Sequence, residues 1–355
     1  MKLLVLTRYD SAGPSSRYRF YQFIPYLEKE NFDVSVSPHF NKKYVENLYS
    51  ERRSIKLLNP LNAYLKRAAR LLLNRNFDLV WMEKEVLPWI PASIEKFLLK
   101  SSIPCVIDYD DAVYHRYDQH CNPLVRAALS KKIEKLMAFS TVVIAGNQYI
   151  AEYARETGAK HVEIIPTVVD TYVYTKKQSE PNENFNIGWI GSPSTSRHLN
   201  VAVPALNQLC KKSDVQFSAI GALGKDLVEI PGQLISWSEE TEVEELNRFD
   251  VGIMPLPDTP WERGKCGFKL IQYMACGLPV IASPVGVNKE IVEHGVNGFL
   301  ARDTEEWIQY LETLKENSDL CHKMGTAGRK KVESEFSLHK MAPRLVDLMK
   351  RVAEG

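Results

Sequence analysis

The sequence has no C-x-x-C pair. Its six cysteines, Cys105, Cys121, Cys210, Cys266, Cys276 and Cys321, are scattered, so neither a zinc site nor a disulfide framework is expected, only buried or idle thiols. No apolar run approaches the roughly 20 residues that a membrane span needs. The opening MKLLVLTRYD lacks the long apolar core and the small-residue cleavage site of a secretory leader, and the expected location is the cytoplasm. Internal repeats and low-complexity tracts are absent. So is the dinucleotide fingerprint, because Gly188-x-x-Gly191 lacks the G-x-G-x-x-G spacing. Net charge is close to nil, at +1, and without a strongly basic domain or a recognised motif no nucleic-acid partner is expected.

What is present is an ordinary globular composition, 45% hydrophobic and 25% charged, over 355 residues. That length is too great for one ordinary core and fits two domains. Short apolar runs such as Lys2–Thr7, Val106–Asp108, Thr141–Ala145, Phe185–Ile190, Val215–Ile220 and Val280–Ala282 read as buried parallel strands. Helical segments separate them, which predicts two doubly wound α/β domains. The expected organisation is an N-terminal domain over 1–175, a second domain over 176–337, and a final helix over 338–355. A polar stretch from Lys176 to Asn184 marks the linker.

Charge is uneven. Residues 1–175 hold 24 Lys/Arg against 19 Asp/Glu, and most of the excess lies between Lys42 and Arg75, where nine basic residues face only Glu46 and Glu51. Within it, leucines recur at helical spacing beside Lys66, Arg67, Arg70 and Arg75. Two readings stand side by side: a domain helix with a solvated basic face, and a basic amphipathic surface in residues 42–76 lying on an anionic membrane, peripheral to the inner face of the plasma membrane.

The most informative stretch is Gly264–Ser283, GKCGFKLIQYMACGLPVIAS. It reads loop, helix, turn, strand. A loop feeding a helix N-terminus is an anion site in waiting, since the first N–H groups lack intrahelical partners and the macrodipole adds positive character. Lys265 and Lys269 add full charges, and Gly267 permits close backbone approach. The alternative is a surface loop with two solvated lysines.

MACGLPVIAS, followed by PVGVNKEIVEHGVNGFLA, closely resembles the donor-binding segment of glycosyltransferase family 4 (group 1), the retaining GT-B enzymes. The resemblance implies two Rossmann-like domains facing across a cleft and transfer of a sugar from a nucleotide-sugar, a UDP or GDP sugar, without a metal or other cofactor. The acceptor it implies, with the basic first domain, is a glycan or lipid-linked glycan of bacterial surface polysaccharide synthesis. The family's Glu-x7-Glu pattern is missing, because Gly264 stands at its first position and Gln272 at its second. A non-catalytic nucleotide- or glycan-binding module and a sugar-nucleotide epimerase on the same fold therefore remain alternatives.

The resemblance also assigns candidate residues. Donor contacts fall to Gly13, Gly191, Arg197, Trp237, Ser238, Lys265, Gly267, Phe268, Lys269 and Gln272, with Glu262 or Arg263 as a substitute for the absent glutamate. For Arg17 and Arg19, in a helix for which Ser15 and Ser16 are candidate N-caps, two readings stand: one of them meets a phosphate of donor or acceptor, or they are plain surface arginines. Asp110 and Asp111 follow the strand ending at Asp108, where open α/β sheets bind ligands, and are the candidates for sugar or acceptor contact; the alternative is that one of them caps the segment that follows. Asp108-x-Asp110 is not read as a metal site, because the Asp-x-Asp metal motif belongs to the other major glycosyltransferase fold. Arg197 and Lys269 are the candidate stabilisers of the leaving diphosphate.

Overall fold

The structure is a computed structural model and describes residues 1–42, 44, 58–73, 76–99, 103–176, 183–222 and 232–355. It divides into two compact units: Met1–Thr167 with Arg263–Cys266 and Leu338–Gly355, and Val168–Glu262 with Gly267–Ser337.

The first unit is built on a six-stranded parallel sheet: β1 (Lys2–Tyr9), β2 (Asp33–Phe40), β3 (Leu79–Glu83), β4 (Cys105–Tyr109), β5 (Val142–Ala145) and β6 (Val162–Ile164), in the order β2-β1-β3-β4-β5-β6. The second has β7 (Phe185–Ile190), β8 (Val215–Ile220), β9 (Gln233–Ile235), β10 (Val251–Met254), β11 (Val280–Ala282) and β12 (Gly298–Leu300), in the order β12-β11-β10-β7-β8-β9, again all parallel. The central strands are continuous apolar runs because helices cover both faces, and β3, β4, β5 and β10 are buried at every position. In each sheet the strand order reverses once, between β1 and β3 and between β7 and β10. Loops at the carboxyl ends of those strands diverge and leave a crevice.

Several local expectations are corrected. Ser15 and Ser16 are not N-caps: Gly13 occupies that place, and the helix runs from Pro14 to Arg19. Proline suits a first helical turn because it has no N–H to leave unpaired. The serine hydroxyls are used for tertiary bonds instead, Ser15 Oγ to Asp110 (2.5 Å) and Ser16 Oγ to Glu83 (2.6 Å). The helix ends at Arg19, a 3-10 turn over Tyr21–Phe23 follows, and a second helix, Ile24–Lys29, begins at the next proline. Of the basic stretch, Lys43, Arg52, Arg53, Lys56 and Arg75 lie outside the described residues. Arg67, expected on a solvated face, is buried and donates to the carbonyls of Thr7 (2.7 Å) and Ser37 (2.8 Å).

Residues 123–139 form two helices, Pro123–Leu129 and Lys132–Phe139. Lys132 is buried. Its ammonium sits 2.7 Å from both Glu85 and Glu95 and donates to the Leu87 carbonyl (2.7 Å). One lysine thus serves two buried carboxylates, and the two respond differently. Burial pushes Glu95 up to about 7 against the pull of Lys132. Glu85 meets the same burial penalty, but Lys132 and Arg116, with a hydrogen bond from Tyr117, outweigh it and hold its carboxyl below the ordinary value.

Two outcomes follow. Lys132→Met takes the cation from buried Glu95 and leaves Glu85 to Arg116 and Arg8, and should cost about 3–5 kcal/mol in chemical denaturation. Glu95 has a folded pKa raised above its ordinary 4.5, so the stability it contributes is complete below that value and is lost as pH rises through about 7. The stability difference between wild type and Glu95→Gln should therefore shrink from pH 5 to pH 8; a pH-independent difference contradicts the assignment.

Candidate functional site

Each unit carries its own constellation at the carboxyl ends of its strands. In the first, β4 ends at Tyr109 and the chain turns through Asp110 and Asp111, while β3 ends at Glu83 and turns through Glu85. Between these turns lies Lys84, which adopts a left-handed backbone (φ 58°) rare for a residue with a side chain. Its ammonium is 2.6 Å from Asp110 Oδ1 and 3.4 Å from Asp111 Oδ2, and donates to Ser15 Oγ (3.2 Å). Burial works to raise the Asp110 carboxyl, but Lys84 and Ser15 override it and keep it below the ordinary value. Burial likewise works to lower Lys84, and Asp110 with Asp111 overrides it and raises the ammonium above the usual lysine range. Asp111 is the outer carboxylate, 30% exposed, with Lys265 Nζ 3.6 Å from its Oδ1. The result is a pair of carboxylates, one buried and one open, each with a lysine ammonium beside it.

Asp108, one step earlier, is excluded from that work. Arg19 grips it through both oxygens (2.9 and 3.0 Å) and gives its remaining arm to the Ile165 carbonyl (2.8 Å). Burial raises the Asp108 carboxyl to about 6 despite this partner. Arg19, a candidate to meet a phosphate, is 2% exposed and committed to structure. Arg17 is also buried, its guanidinium over the Tyr18 ring and bonded to the Tyr18 hydroxyl (2.9 Å).

Arg263–Cys266 is held within this same unit. Asn147, which caps the helix Gln148–Glu156, donates its amide to the carbonyls of Gly264 (2.9 Å) and Lys265 (3.1 Å), and Cys266 Sγ donates to the Asp110 carbonyl (3.1 Å). Gly264 leaves no space for a side chain, because a Cβ there would lie 2.4 Å from the Ala112 Cβ and 2.9 Å from its backbone nitrogen. The first glutamate of the family pair is thus missing at a place where the backbone itself packs.

In the second unit Gly267 caps the helix Phe268–Ala275 in a left-handed conformation (φ 66°), and a Cβ would meet Ile291 at 2.3 Å. Lys269 in its first turn lies over the Trp189 ring, 5.4 Å from the centroid. Phe268 is half-buried. Gly191 follows β7, and the next turn is closed by Thr195 Oγ1 accepting from Ser192 N (3.1 Å). Arg197 is 71% exposed with its guanidinium 3.9 Å from Glu262, whose carboxylate meets His198 Nε2 at 3.0 Å and also accepts from Thr259.

Gln272 is buried and tied to a carboxylate that nothing in the sequence singled out. Its amide donates to Glu242 Oε1 (2.8 Å) and to the Tyr174 hydroxyl (3.2 Å), and Glu242 also accepts from Tyr174 and from Trp237 Nε1. Ser238 Oγ shares a hydrogen bond with Thr241 (2.8 Å). Trp237 and Gln272, separate candidates in the sequence, are therefore joined through Glu242.

The structure thus gathers Asp110, Asp111 and Lys265 with Lys84 in one unit, and Trp237 with Gln272, and Arg197 with Glu262, in the other. Lys84 had a legible signal, since it directly follows the apolar LVWME strand just as Asp110 follows CVIDY. Glu242 and Tyr174 had none, being 30 and 98 positions from Gln272. Among the described residues no group of three or more His, Cys, Asp or Glu side chains is placed to hold a metal ion.

Residues 184–317 match the family model described as Glycosyl transferases group 1. The amylovoran biosynthesis glycosyltransferase AmsK of Erwinia amylovora is 28% identical over 125 residues, 34% of this chain and 31% of that protein. The stretches matched span 11–31% of the curated relatives' length. Sucrose-phosphate synthase from Thermosynechococcus elongatus superposes with a TM-score of 0.74 at 15% identity, covering 99% of each chain. HepE of Anabaena, solved in complex with UDP-glucose, gives 0.69 at 17% identity over 99% of this chain and 100% of that one. The fold is that of the GT-B glycosyltransferases, with two Rossmann-like domains. Residues 184–317 are a group 1 glycosyltransferase domain.

Gly264→Glu, which restores the glutamate of the family pattern, should lower stability instead of improving activity. Overpacking against Ala112 should cost about 1–3 kcal/mol, and Gly264→Ala should show most of that loss in thermal or urea unfolding. A stable, more active Gly264→Glu protein would refute the packing account.

Proposed function

We propose that this protein is a retaining, metal-independent glycosyltransferase that moves a hexosyl group from a UDP or GDP sugar to a glycan or lipid-linked glycan acceptor, in bacterial surface polysaccharide synthesis on the cytoplasmic side of the membrane. The observation that carries the reading is the glycine-capped helix Phe268–Ala275 within the group 1 domain, with Lys269 in its first turn. The similar fold of HepE, a protein solved with UDP-glucose bound, supports the donor class.

The chemical difficulty in such a transfer is negative charge growing on the diphosphate as the glycosidic bond breaks. A helix N-terminus, Lys269 and the exposed Arg197 supply fixed positive potential for it, which lowers the barrier without reorganisation. The departing phosphate oxygen accepts the acceptor hydroxyl's proton on the same face, so no protein nucleophile is needed. Asp110 and Asp111, positioned by Lys84, then serve as hydrogen-bond acceptors for sugar or acceptor hydroxyls. Trp237 and Ser238 are assigned to the nucleobase side and Gln272 to the ribose side of the donor.

Two observations favour a second reading, a nucleotide- or glycan-binding module without turnover. Gly264 has no room for a carboxylate, and the Gln272 amide is engaged by Glu242 and Tyr174.

The two readings separate experimentally. A ligand that binds only the folded state raises the melting temperature by mass action. Selective stabilisation by one of UDP, GDP, ADP or CMP, unaffected by a chelator, is expected. Donor turnover should then be detectable and should fall about 100-fold in Lys269→Ala at saturating donor. Nucleotide binding with no turnover of any sugar donor selects the binding module; chelator-sensitive binding overturns metal independence.

A further inference from the structure

The helix Leu58–Leu73 turns one face inward through Arg67 and Leu71 and leaves Leu61 (60%), Leu65 (62%) and Leu72 (41%) exposed. Positions i, i+4 and i+11 fall within about 40° of one another on a helix, so these leucines form one stripe. The neighbouring helix Ala92–Leu99 packs against it and presents Ile94 (47%) and Phe97 (77%), again one turn apart. The Tyr64 hydroxyl donates to the Pro88 carbonyl (2.7 Å), tying the first helix to the turn that carries the exposed Trp89. Large exposed apolar residues grouped on adjacent elements mark an interaction surface, whereas scattered ones do not.

Within the described residues of these two helices the exposed charges are of one sign. The helix Leu58–Leu73 contains no acidic residue, and the only one in Ala92–Leu99 is Glu95, which points inward to Lys132. Lys66 and Lys96 are exposed, and Arg70 is half-buried over Phe77. We infer that Leu61, Leu65, Leu72, Trp89, Ile94 and Phe97 form the face by which the first unit lies on an anionic lipid bilayer. Apolar side chains enter the acyl boundary while the flanking lysines meet the headgroups. A second copy is a poorer occupant, because pairing this face with itself would bring like charges together. Among the described residues no helix is long and apolar enough to cross a membrane, so such an attachment would be on the surface. It is independent of the donor chemistry proposed above.

The test is co-sedimentation of the full chain, without nucleotide or donor, with phosphatidylcholine vesicles and with vesicles containing one-third phosphatidylglycerol. Binding to the anionic vesicles alone, weakened by salt, is expected. Leu61→Asn with Leu65→Asn, and separately Phe97→Ser, should each cut the partition about ten-fold with an unchanged melting temperature. Absence of wild-type binding to anionic vesicles at low salt overturns the inference, as does equal binding by the variants. A concentration-dependent dimer that the same substitutions dissolve, without vesicle binding, assigns the face to a second copy and also overturns it. Because no donor is present, failure here leaves the transferase reading untouched, and the reverse holds.

Discussion

The first unit depends on the pairing of Arg19 with Asp108. Arg19 lies on the helix after β1, Asp108 near the end of β4, and the third hydrogen bond reaches Ile165 just beyond β6. One guanidinium therefore joins three chain segments that are distant in sequence. Burying such a pair is a doubtful source of net stability, since desolvation of both charges offsets much of their attraction. What it does provide is geometry. With Asp108 engaged, the turn through Asp110 and Asp111 starts from a fixed point, and the helix that holds Arg19 delivers Ser15 to Asp110. Lys84 completes the arrangement from the adjacent strand end.

The second unit solves a different problem. A buried carboxylate, Glu242, is surrounded by donors from Trp237, Tyr174 and Gln272, so a polar group in the interior is paired with segments from three parts of the unit. A glutamate in place of Gln272 would bring a second negative charge against Glu242, which accounts for an amide at that position better than simple loss of function does. At this departure from the family pattern the amide is held by Glu242 and Tyr174. Together with the tight packing of Gly264, it ties both altered positions to this chain's own interior.

Strand positions and strand order class were legible because buried parallel strands are short apolar runs with polar breaks. The helix–turn–strand around Gly267 was legible because glycine, helix formers and Gly-Leu-Pro follow in the order that geometry demands. The direction of long charged side chains was not. Arg19, Arg67 and Lys132 are indistinguishable by sequence from Lys66 or Lys131, and only partners contributed from far along the chain, Asp108, two backbone carbonyls, and Glu85 with Glu95, draw them inward. Glu242 escaped notice for the same reason. The carboxylates after β4 could be placed from sequence alone because position at a strand's carboxyl end is a local property; the lysine that fixes them could have been, by the same rule.

The assignment of Arg263–Cys266 to the first unit, although both neighbouring stretches belong to the second, bears on how such a protein can be divided or recombined. A fragment ending at Thr167 lacks the four residues that satisfy the Asn147 amide, and it lacks the closing helix Leu338–Glu354 as well. Exchange of the second half between relatives is then not a matter of joining at a linker. An incoming half brings its own version of those four residues, and they must suit Ala112, Gly146 and Asn147 of the recipient. The two halves are obliged to change in step at this point, so a chimera's compatibility should be judged by its fit there before any difference in sugar chemistry is considered.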